Sequence, residues 1–289
     1  MIGMHFNNPN NIEDGDWVRL WDCGVTWKDI HIGPDQYDWS RLDELVDQYS
    51  DRNILYCIAA TPRWLATDPD APHYAPWLGP GTNSLPYDID EFNKFVWHLA
   101  MRYKGRIRAY EIWNEPQLAD FMYPYTRKNR NRLALMTWRA NRTIKRVDSQ
   151  AFVLGASILP RKSSGGMRRA KKYLRALKKR GWPVDRMAVH IYPEVNTGPL
   201  KWASYLSDAK KTVKRMGGPS RLWITETNYN LLGPVIDGPD AWCIVRDTYA
   251  YADKHPIFWY SWDMEEVLGG LLLEKDSYAW KAIQKYGRP

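Results

Sequence analysis

The chain has 289 residues, 44% hydrophobic and 26% charged, with a formal net charge of +8 at pH 7. This composition is typical of a globular protein with a sizeable core, and no run of 18 apolar residues predicts a transmembrane helix. The first residues, MIGMHFNNPN, lack the basic stretch and apolar core of a secretory signal. We therefore expect a cytoplasmic protein, or one exported or carried on a particle, such as a phage, by another route. Three widely spaced cysteines do not form a disulfide framework.

Eight short apolar segments predict strands, at IGMHF (2–6), WVRLW (17–21), ILYCIAA (54–60), IRAYEIW (107–113), FVLGAS (152–157), MAVHIYP (187–193), LWITET (222–227) and IFWYSW (257–262). Segments with helical periodicity lie between them, including 91–103, 199–216 and 241–254. Strands that alternate with helices form a parallel sheet, and eight repeats in fewer than 300 residues indicate a closed barrel. We predict an α/β protein in which residues 1–289 form a single (β/α)8 TIM-barrel domain.

Two connections depart from the ideal pattern. About eleven residues separate the first two predicted strands, too few for a full helix, so the first β-α connection is predicted to be shortened to a loop or a single turn. Residues 63–88, rich in Pro and Trp, predict a long loop at the same end of the barrel as the active site. Asp38 or Ser40 is expected to cap one helix and Asp90 the next.

The amino-acid usage has two biases. Sixteen Trp and eighteen Tyr against six Phe favour aromatic side chains with a polar edge, which suit hydrated flat ligands such as sugar rings. Residues 161–180 contain ten basic residues and no acidic one, so the rest of the chain carries about −2 (+8 minus 10). The positive charge therefore belongs to one segment, predicted as a helix over 165–180.

Two carboxylates follow or close predicted strands. In IRAYEIW the fourth strand runs into Asn114, Glu115 and Pro116, and Glu226 closes the seventh strand, LWITET. The carboxyl ends of barrel strands share one mouth, where TIM-barrel active sites lie. Two carboxylates beside a pocket are what glycoside hydrolysis requires, since one protonates the leaving oxygen and the other attacks the anomeric carbon or activates water.

The motifs YEIWNEP and ITET resemble the acid/base and nucleophile motifs of clan A retaining glycoside hydrolases. The stretch at 18–46, VRLWDCGVTWKDIHIGPDQYDWSRLDELV, looks more narrowly like family 39 and its relatives. The resemblance extends over nearly the whole chain. It implies that Glu115 is the acid/base and Glu226 the nucleophile, with carboxyl groups ~5–5.5 Å apart. At that distance we expect the charge of Glu226 to raise the pKa of Glu115.

The resemblance also implies substrate-binding residues. Asn114 would bind the sugar 2-hydroxyl, and Arg19 would keep Glu226 ionised. Tyr192 would hydrogen-bond Glu226, His190 would line the pocket, and Trp262 would form the floor on which the sugar stacks.

Each assignment has a structural alternative. Glu111 lies deeper in the fourth strand and is interpreted as a buried carboxylate that pairs with an arginine. Arg19 is a candidate for that arginine. His190 could be a structural barrel histidine. Asp263 and Glu265 could contact sugar hydroxyls. Five tryptophans are open between substrate contact and core, namely Trp27, Trp64, Trp77, Trp113 and Trp242.

Other chemistries have little support. No HExxH or CxxC spacing, serine-hydrolase elbow, P-loop or dinucleotide fingerprint is present, so we expect neither a metal nor a cofactor. The helix at 165–180 is interpreted as a solvated face, or as a contact for an anionic glycan or another protein; nucleic acid is not expected.

We expect a carbohydrate substrate, and the basic helix favours a bacterial envelope or capsular glycan. The alternatives are a transglycosylase, a barrel that binds glycan without cleaving it, and an adhesion component of a larger assembly.

Overall fold

The computed structural model describes residues 2–6, 15–161, 165–230, 233–253, 255–262 and 270–287, with only the backbone described at positions 2, 6, 261 and 262. Eight parallel strands close into a barrel, in which each strand pairs with the next along the chain and the last pairs with the first. The strands are β1 (Ile2–Phe6), β2 (Trp17–Leu20), β3 (Asn53–Ile58), β4 (Ile107–Ile112), β5 (Phe152–Ile158), β6 (Arg186–Ile191), β7 (Leu222–Thr227) and β8 (Ile257–Trp262). The predicted (β/α)8 barrel is confirmed.

From β2 onwards helices alternate with these strands. They are α1 (Trp27–Ile30), α2 (Ser40–Gln48), α3 (Ile89–Arg102), α4 (Arg127–Val147), α5 (Gly166–Lys178), α6 (Pro199–Arg215), α7 (Pro239–Ala252) and α8 (Tyr278–Tyr286). Two of them, α1 and α2, lie between β2 and β3. Helix α5 shows why the helices could be predicted from the sequence. Its buried residues recur at helical spacing, at Ala170, Tyr173, Leu174 and Leu177, while its cations face outward. No helix among the described residues has the length and apolarity needed to cross a membrane.

Sequence placed most boundaries within two residues of the observed ones. The predicted cap of α3 was wrong: the helix begins at Ile89, and Asp88 accepts a hydrogen bond from the backbone N–H of Asp90. Asp38 does accept from the backbone N–H of Ser40 at the start of α2. Only residues 7–16 separate β1 from β2, and the form of this first connection lies largely outside the described residues. The three cysteines are free, as expected.

Side chains inside the barrel lie in layers, because residues two apart on a strand point to the same side. The lowest layer is an apolar plug that includes Trp17, Leu55, Ala109, Trp223 and Phe258. The Trp17 and Trp223 rings meet edge to face, 5.0 Å apart. On β1 the matching position is Gly3, where an added Cβ would lie 2.4 Å from the Phe258 ring, so no larger side chain fits.

Two residues further along five of the strands, β1, β2, β4, β6 and β7, the interior becomes polar. This second layer contains His5, Arg19, Glu111, His190 and Thr225, all fully buried. The apolar plug closes the barrel beneath this layer, and the described strand ends lie above it. The strand ends therefore lie above a buried polar layer, and this layer rests on the apolar plug.

Candidate active site

The end of β4 is held in a strained turn. Trp113 and Glu115 both have positive φ angles, +85° and +36°, which residues other than glycine rarely adopt. Such strain persists only where surrounding contacts hold it. Here the Trp113 indole donates to the carbonyl of Phe121 (2.8 Å), and the backbone N–H of Glu115 donates to Ser157 Oγ (3.0 Å). The turn presents Asn114 and Glu115 to the pocket.

Glu115 and Glu226 come together across the barrel mouth. One ligand atom each from Glu115, His190 and Glu226 lies within 4.8 Å of the other two, so the two carboxylates are near neighbours. Glu115 is 7% exposed and Glu226 6%, which leaves each carboxyl accessible only from the pocket. The two carboxyl groups therefore approach each other to within 4.8 Å at their nearest ligand atoms.

Arg19 lies beneath the pair and donates hydrogen bonds to four side chains, which are those of Glu111, Glu226, Asn114 and His5. Its Nε donates to Glu111 (3.1 Å) and its Nη1 to Glu226 (2.6 Å). Its Nη2 donates to Asn114 Oδ1 (3.0 Å). The sequence left open whether Arg19 pairs with Glu111 or holds Glu226, and the structure shows both contacts. One buried cation thus serves two carboxylates and orients the neighbouring amide.

Glu226 is fixed at both oxygens. Arg19 occupies Oε1, and the Tyr192 hydroxyl donates to Oε2 (2.9 Å). These contacts fix the orientation of the Glu226 carboxyl, with a cation against one oxygen and a hydrogen-bond donor against the other.

His190 contacts both carboxylates through one atom. Its Nδ1 lies 2.7 Å from Glu115 Oε1 and 3.2 Å from Glu226 Oε2, and its Nε2 lies 3.1 Å from Thr225 Oγ1. Burial lowers the pKa of His190 to about 4, so the ring is neutral at pH 7. We assign the ring proton to Nδ1, which then donates to the carboxylates, while Nε2 accepts from the Thr225 hydroxyl; this hydroxyl also lies 3.5 Å from Glu111 Oε1.

This arrangement determines where Glu115 carries its proton. Because Oε1 of Glu115 accepts from His190, Oε2 is the oxygen left to hold an acidic proton. The pKa of Glu115 is raised to about 7, chiefly because burial penalises its charged form, while Arg161 and Arg19 lower it and Asp120 raises it. The direction agrees with the prediction, but the predicted cause is wrong, because burial and not the charge of Glu226 raises the pKa of Glu115.

Glu115, His190 and Glu226 also have the geometry of a metal-ligand group. The ligand atoms are already engaged, since His190 Nδ1 contacts both carboxylates and Arg19 and Tyr192 occupy the two oxygens of Glu226. A cation would have to displace Arg19 or the histidine proton. The donor set is therefore better suited to proton transfer than to holding a metal.

Two contacts of the buried polar layer, both made by His5, were not predicted from the sequence. His5 Nδ1 accepts from Arg19 Nη1 (3.0 Å), and since arginine only donates, His5 Nε2 carries the proton and donates to Asp22. Burial alone would raise the pKa of Asp22, but His5 and Arg19 lower it below its ordinary value. The signal was available, since His5 lies two residues after Gly3 and so on the same side of β1.

The pocket above the pair has a volume of about 460 Å³. Trp77, from the long loop after β3, lines it and is 64% exposed. Tyr260 on β8 also lines it, with its hydroxyl 3.4 Å from Asp22 Oδ2. Arg161 and Asp120 add one charge of each sign near Glu115. An aromatic wall with a few polar groups is typical of sugar-binding sites.

The five unassigned tryptophans can now be separated. Trp77 lines the pocket. Trp27 is fully buried against Phe92 and belongs to the core, as does Trp113. Trp64 is half-buried and donates to the carbonyl of His31, and Trp242 packs against Tyr286 on the outer helices. The side chains of Trp262, Asp263 and Glu265 lie outside the described residues, so their predicted contacts stay predictions.

No protein-family model matches the sequence, and no curated protein matches it significantly. Solved structures do match. The GH39 enzyme from Xanthomonas axonopodis pv. citri aligns with a TM-score of 0.66 at 18% identity, covering 90% of this chain and 57% of its own. A glucosidase from Croceicoccus marinus aligns at 0.63 and 15% identity, covering 86% and 54%. The GH10 structure from Paenibacillus barcinonensis aligns at 0.68 and 13% identity, covering 100% and 95%.

These likenesses concern the fold. The chain has the same (β/α)8 barrel as these three enzymes, and the fold that the resemblance in the sequence implies is confirmed. It spans a little over half the length of the Croceicoccus and Xanthomonas enzymes and nearly the full length of the Paenibacillus one.

Proposed function

We propose that this chain is a retaining glycoside hydrolase in which Glu115 is the acid/base and Glu226 the nucleophile. The observation that carries the proposal is a close carboxylate pair whose members have different environments. Arg19 and Tyr192 stabilise charge on Glu226, whereas burial raises the pKa of Glu115 to about 7. An acid and a nucleophile are obtained from two chemically identical side chains by environment alone.

In the first step, Glu115 donates the proton on Oε2 to the glycosidic oxygen while Glu226 attacks the anomeric carbon. The bond to the leaving group breaks, the leaving group departs with the proton, and the sugar becomes esterified to Glu226. In the second step, the Glu115 carboxylate accepts a proton from water, which attacks the same carbon and releases Glu226. Two inversions give net retention.

Asn114 supports this reaction through its amide. Since Arg19 Nη2 donates to Oδ1, the Nδ2 group is the one left to donate to a sugar hydroxyl, and the 2-hydroxyl lies closest to the anomeric carbon. Contacts to this hydroxyl strengthen as the transition state forms. The substrate we propose is an oligosaccharide or polysaccharide, with bacterial envelope and capsular glycans first in the test because of the basic helix.

The test is product release from a panel of plant, capsular and mycobacterial-type wall polysaccharides, with xylan included because GH10 xylanases share the fold. Products are read by mass spectrometry, and the anomer first formed by NMR. We expect oligosaccharides of retained configuration from the wild type, and losses of roughly 10²–10⁴-fold or more for Glu115→Gln and Glu226→Gln. Glu44→Gln, which removes an exposed carboxylate of α2, is the matched control and should be fully active.

Equal products from all variants would refute the assignment of the pair. Inverted products would refute the double displacement. Binding of a glycan without cleavage by the wild type would refute the hydrolase and favour the binding barrel instead. A sugar acceptor that outcompetes water would identify a transglycosylase that uses the same residues.

A further inference from the structure

A groove between α4 and α5 lies on the outside of the barrel, and none of its lining residues lines the active-site pocket. It has a volume of about 220 Å³. Five of its seven lining residues are cations, and none is acidic: Arg127, Arg130, Lys172, Arg175 and Lys179. All but Arg130 are exposed. We name these five side chains the basic groove.

The cations of the basic groove lack acidic partners. Among the residues that the structure describes, none of the five forms an ion pair with a carboxylate. Cations further along α4 are paired, since Arg139 contacts Asp90 and Lys145 contacts Asp185. Within the described part of the chain, the five cations of the groove have no such carboxylate partner, so the groove is strongly positive, and its field attracts polyanions.

The spacing of the cations suits a chain with repeated negative charges. Lys172 and Arg175 lie on successive turns of α5, and Lys179 is the C-cap residue of this helix, so that the three span about 10.5 Å along the helix axis. Arg127 and Arg130 face them from the first turn of α4. Two arginines opposite a row of mixed cations can bind carboxylates through both guanidinium donors, which lysine alone cannot do.

The aromatic content of the groove distinguishes between polyanions. Binding of single-stranded nucleic acid uses aromatic faces on which bases stack. No aromatic side chain lines the basic groove, and the nearby Tyr125 ring already has two guanidinium groups over it, those of Arg130 (4.9 Å) and Arg169 (4.5 Å). We infer that the basic groove is a secondary binding site for an acidic polysaccharide, one that carries carboxylates along its chain.

The test compares two double variants of the full-length chain. Lys172→Glu with Lys179→Glu reverses two cations of the groove. Lys171→Glu with Lys178→Glu makes the same charge change, at the same seven-residue spacing on the same helix, but neither lysine lines the groove. All four side chains are exposed, so both variants should fold, which thermal unfolding checks. The probe is polygalacturonate, with dextran as the neutral polymer, and binding is measured by biolayer interferometry between 25 and 300 mM NaCl, a range of roughly tenfold in ionic strength.

We expect the wild type and the control variant to bind polygalacturonate but not dextran, with affinity that falls as salt rises. The groove variant should bind at least ~10-fold more weakly at low salt, since each exposed pair is weak alone and two are replaced by repulsion. Equal loss in both variants would overturn the site, because net charge would then explain binding. Tighter binding of a single-stranded oligonucleotide of equal charge would overturn the choice of polysaccharide. The measurement needs no cleavage, so its outcome is independent of the proposed hydrolase.

Discussion

The raised pKa of Glu115 makes a quantitative prediction about pH. In the proposed mechanism, the first chemical step requires protonated Glu115, and a group with a raised pKa keeps its proton to higher pH. With a pKa of about 7, roughly half of Glu115 is protonated at pH 7 and about 1% at pH 9. We therefore expect kcat/KM, which reports the free enzyme, to fall with a midpoint near pH 7 and by about 100-fold at pH 9.

Two neighbours can be excluded as the source of such a limb. Burial lowers the pKa of His190 to about 4, so its titration is complete below the predicted midpoint. Burial, together with Glu226, raises the pKa of Tyr192 well above its ordinary value, so its hydroxyl stays protonated. Of Glu115, His190 and Tyr192, Glu115 is therefore the group that titrates near neutral pH.

The assay is initial-rate hydrolysis, at substrate concentrations well below KM, from pH 4 to pH 10 in steps of about half a unit, on a substrate from the panel. Glu115→Gln should lose the basic limb altogether, because its amide does not titrate. In the wild type, kcat/KM should fall less steeply above pH 7 on an aryl glycoside, because the leaving group of such a substrate departs without needing a proton. A limb that persists in Glu115→Gln, or a midpoint near the ordinary ~4.3 of a glutamate, would refute the reasoning.

Three further predictions test other parts of the site. Tyr192→Phe removes one hydrogen bond to the nucleophile, so kcat/KM should fall ~10–100-fold without loss of thermal stability; an unchanged rate would contradict that contact's role. Arg19→Leu leaves buried carboxylates without a counter-charge and should lower the free energy of unfolding in urea by about 3–5 kcal/mol. Adding Glu111→Leu should recover part of that loss, and strictly additive losses would contradict the pairing. Trp77→Ala should raise KM ~2–10-fold with little change in kcat, unlike the control Trp97→Ala on α3; equal effects would exclude Trp77 as a sugar contact.

The barrel was predictable because its strands are buried on both faces and so appear as continuous apolar runs. LWITET and IFWYSW gave the bounds of β7 and β8 without error. The carboxylate pair was predictable for the same reason, since a charged residue at the end of an apolar run has few structural uses. Position on a strand therefore located Glu115 and Glu226 before any distance was known.

Other features depend on contacts that sequence does not encode locally. Arg161 and Asp120 reach the pocket from loops, whose paths follow no simple periodicity. The tryptophans could not be separated, because an indole with its polar N–H suits a core as well as a sugar. The cause of the raised pKa of Glu115 was misassigned because charge is visible in a sequence, whereas burial requires the fold.

In the proposed mechanism, Arg19 provides a physical reason for the order of the two chemical steps. In the free site, its charge is shared between Glu111 and Glu226, and it lowers the pKa of Glu115 only in part. When Glu226 becomes esterified, that carboxylate loses its negative charge, and less of the field of Arg19 is neutralised. The same cation then favours ionised Glu115 more strongly. The acid of the first step thus becomes the base of the second through the loss of one charge, with no movement of the protein required.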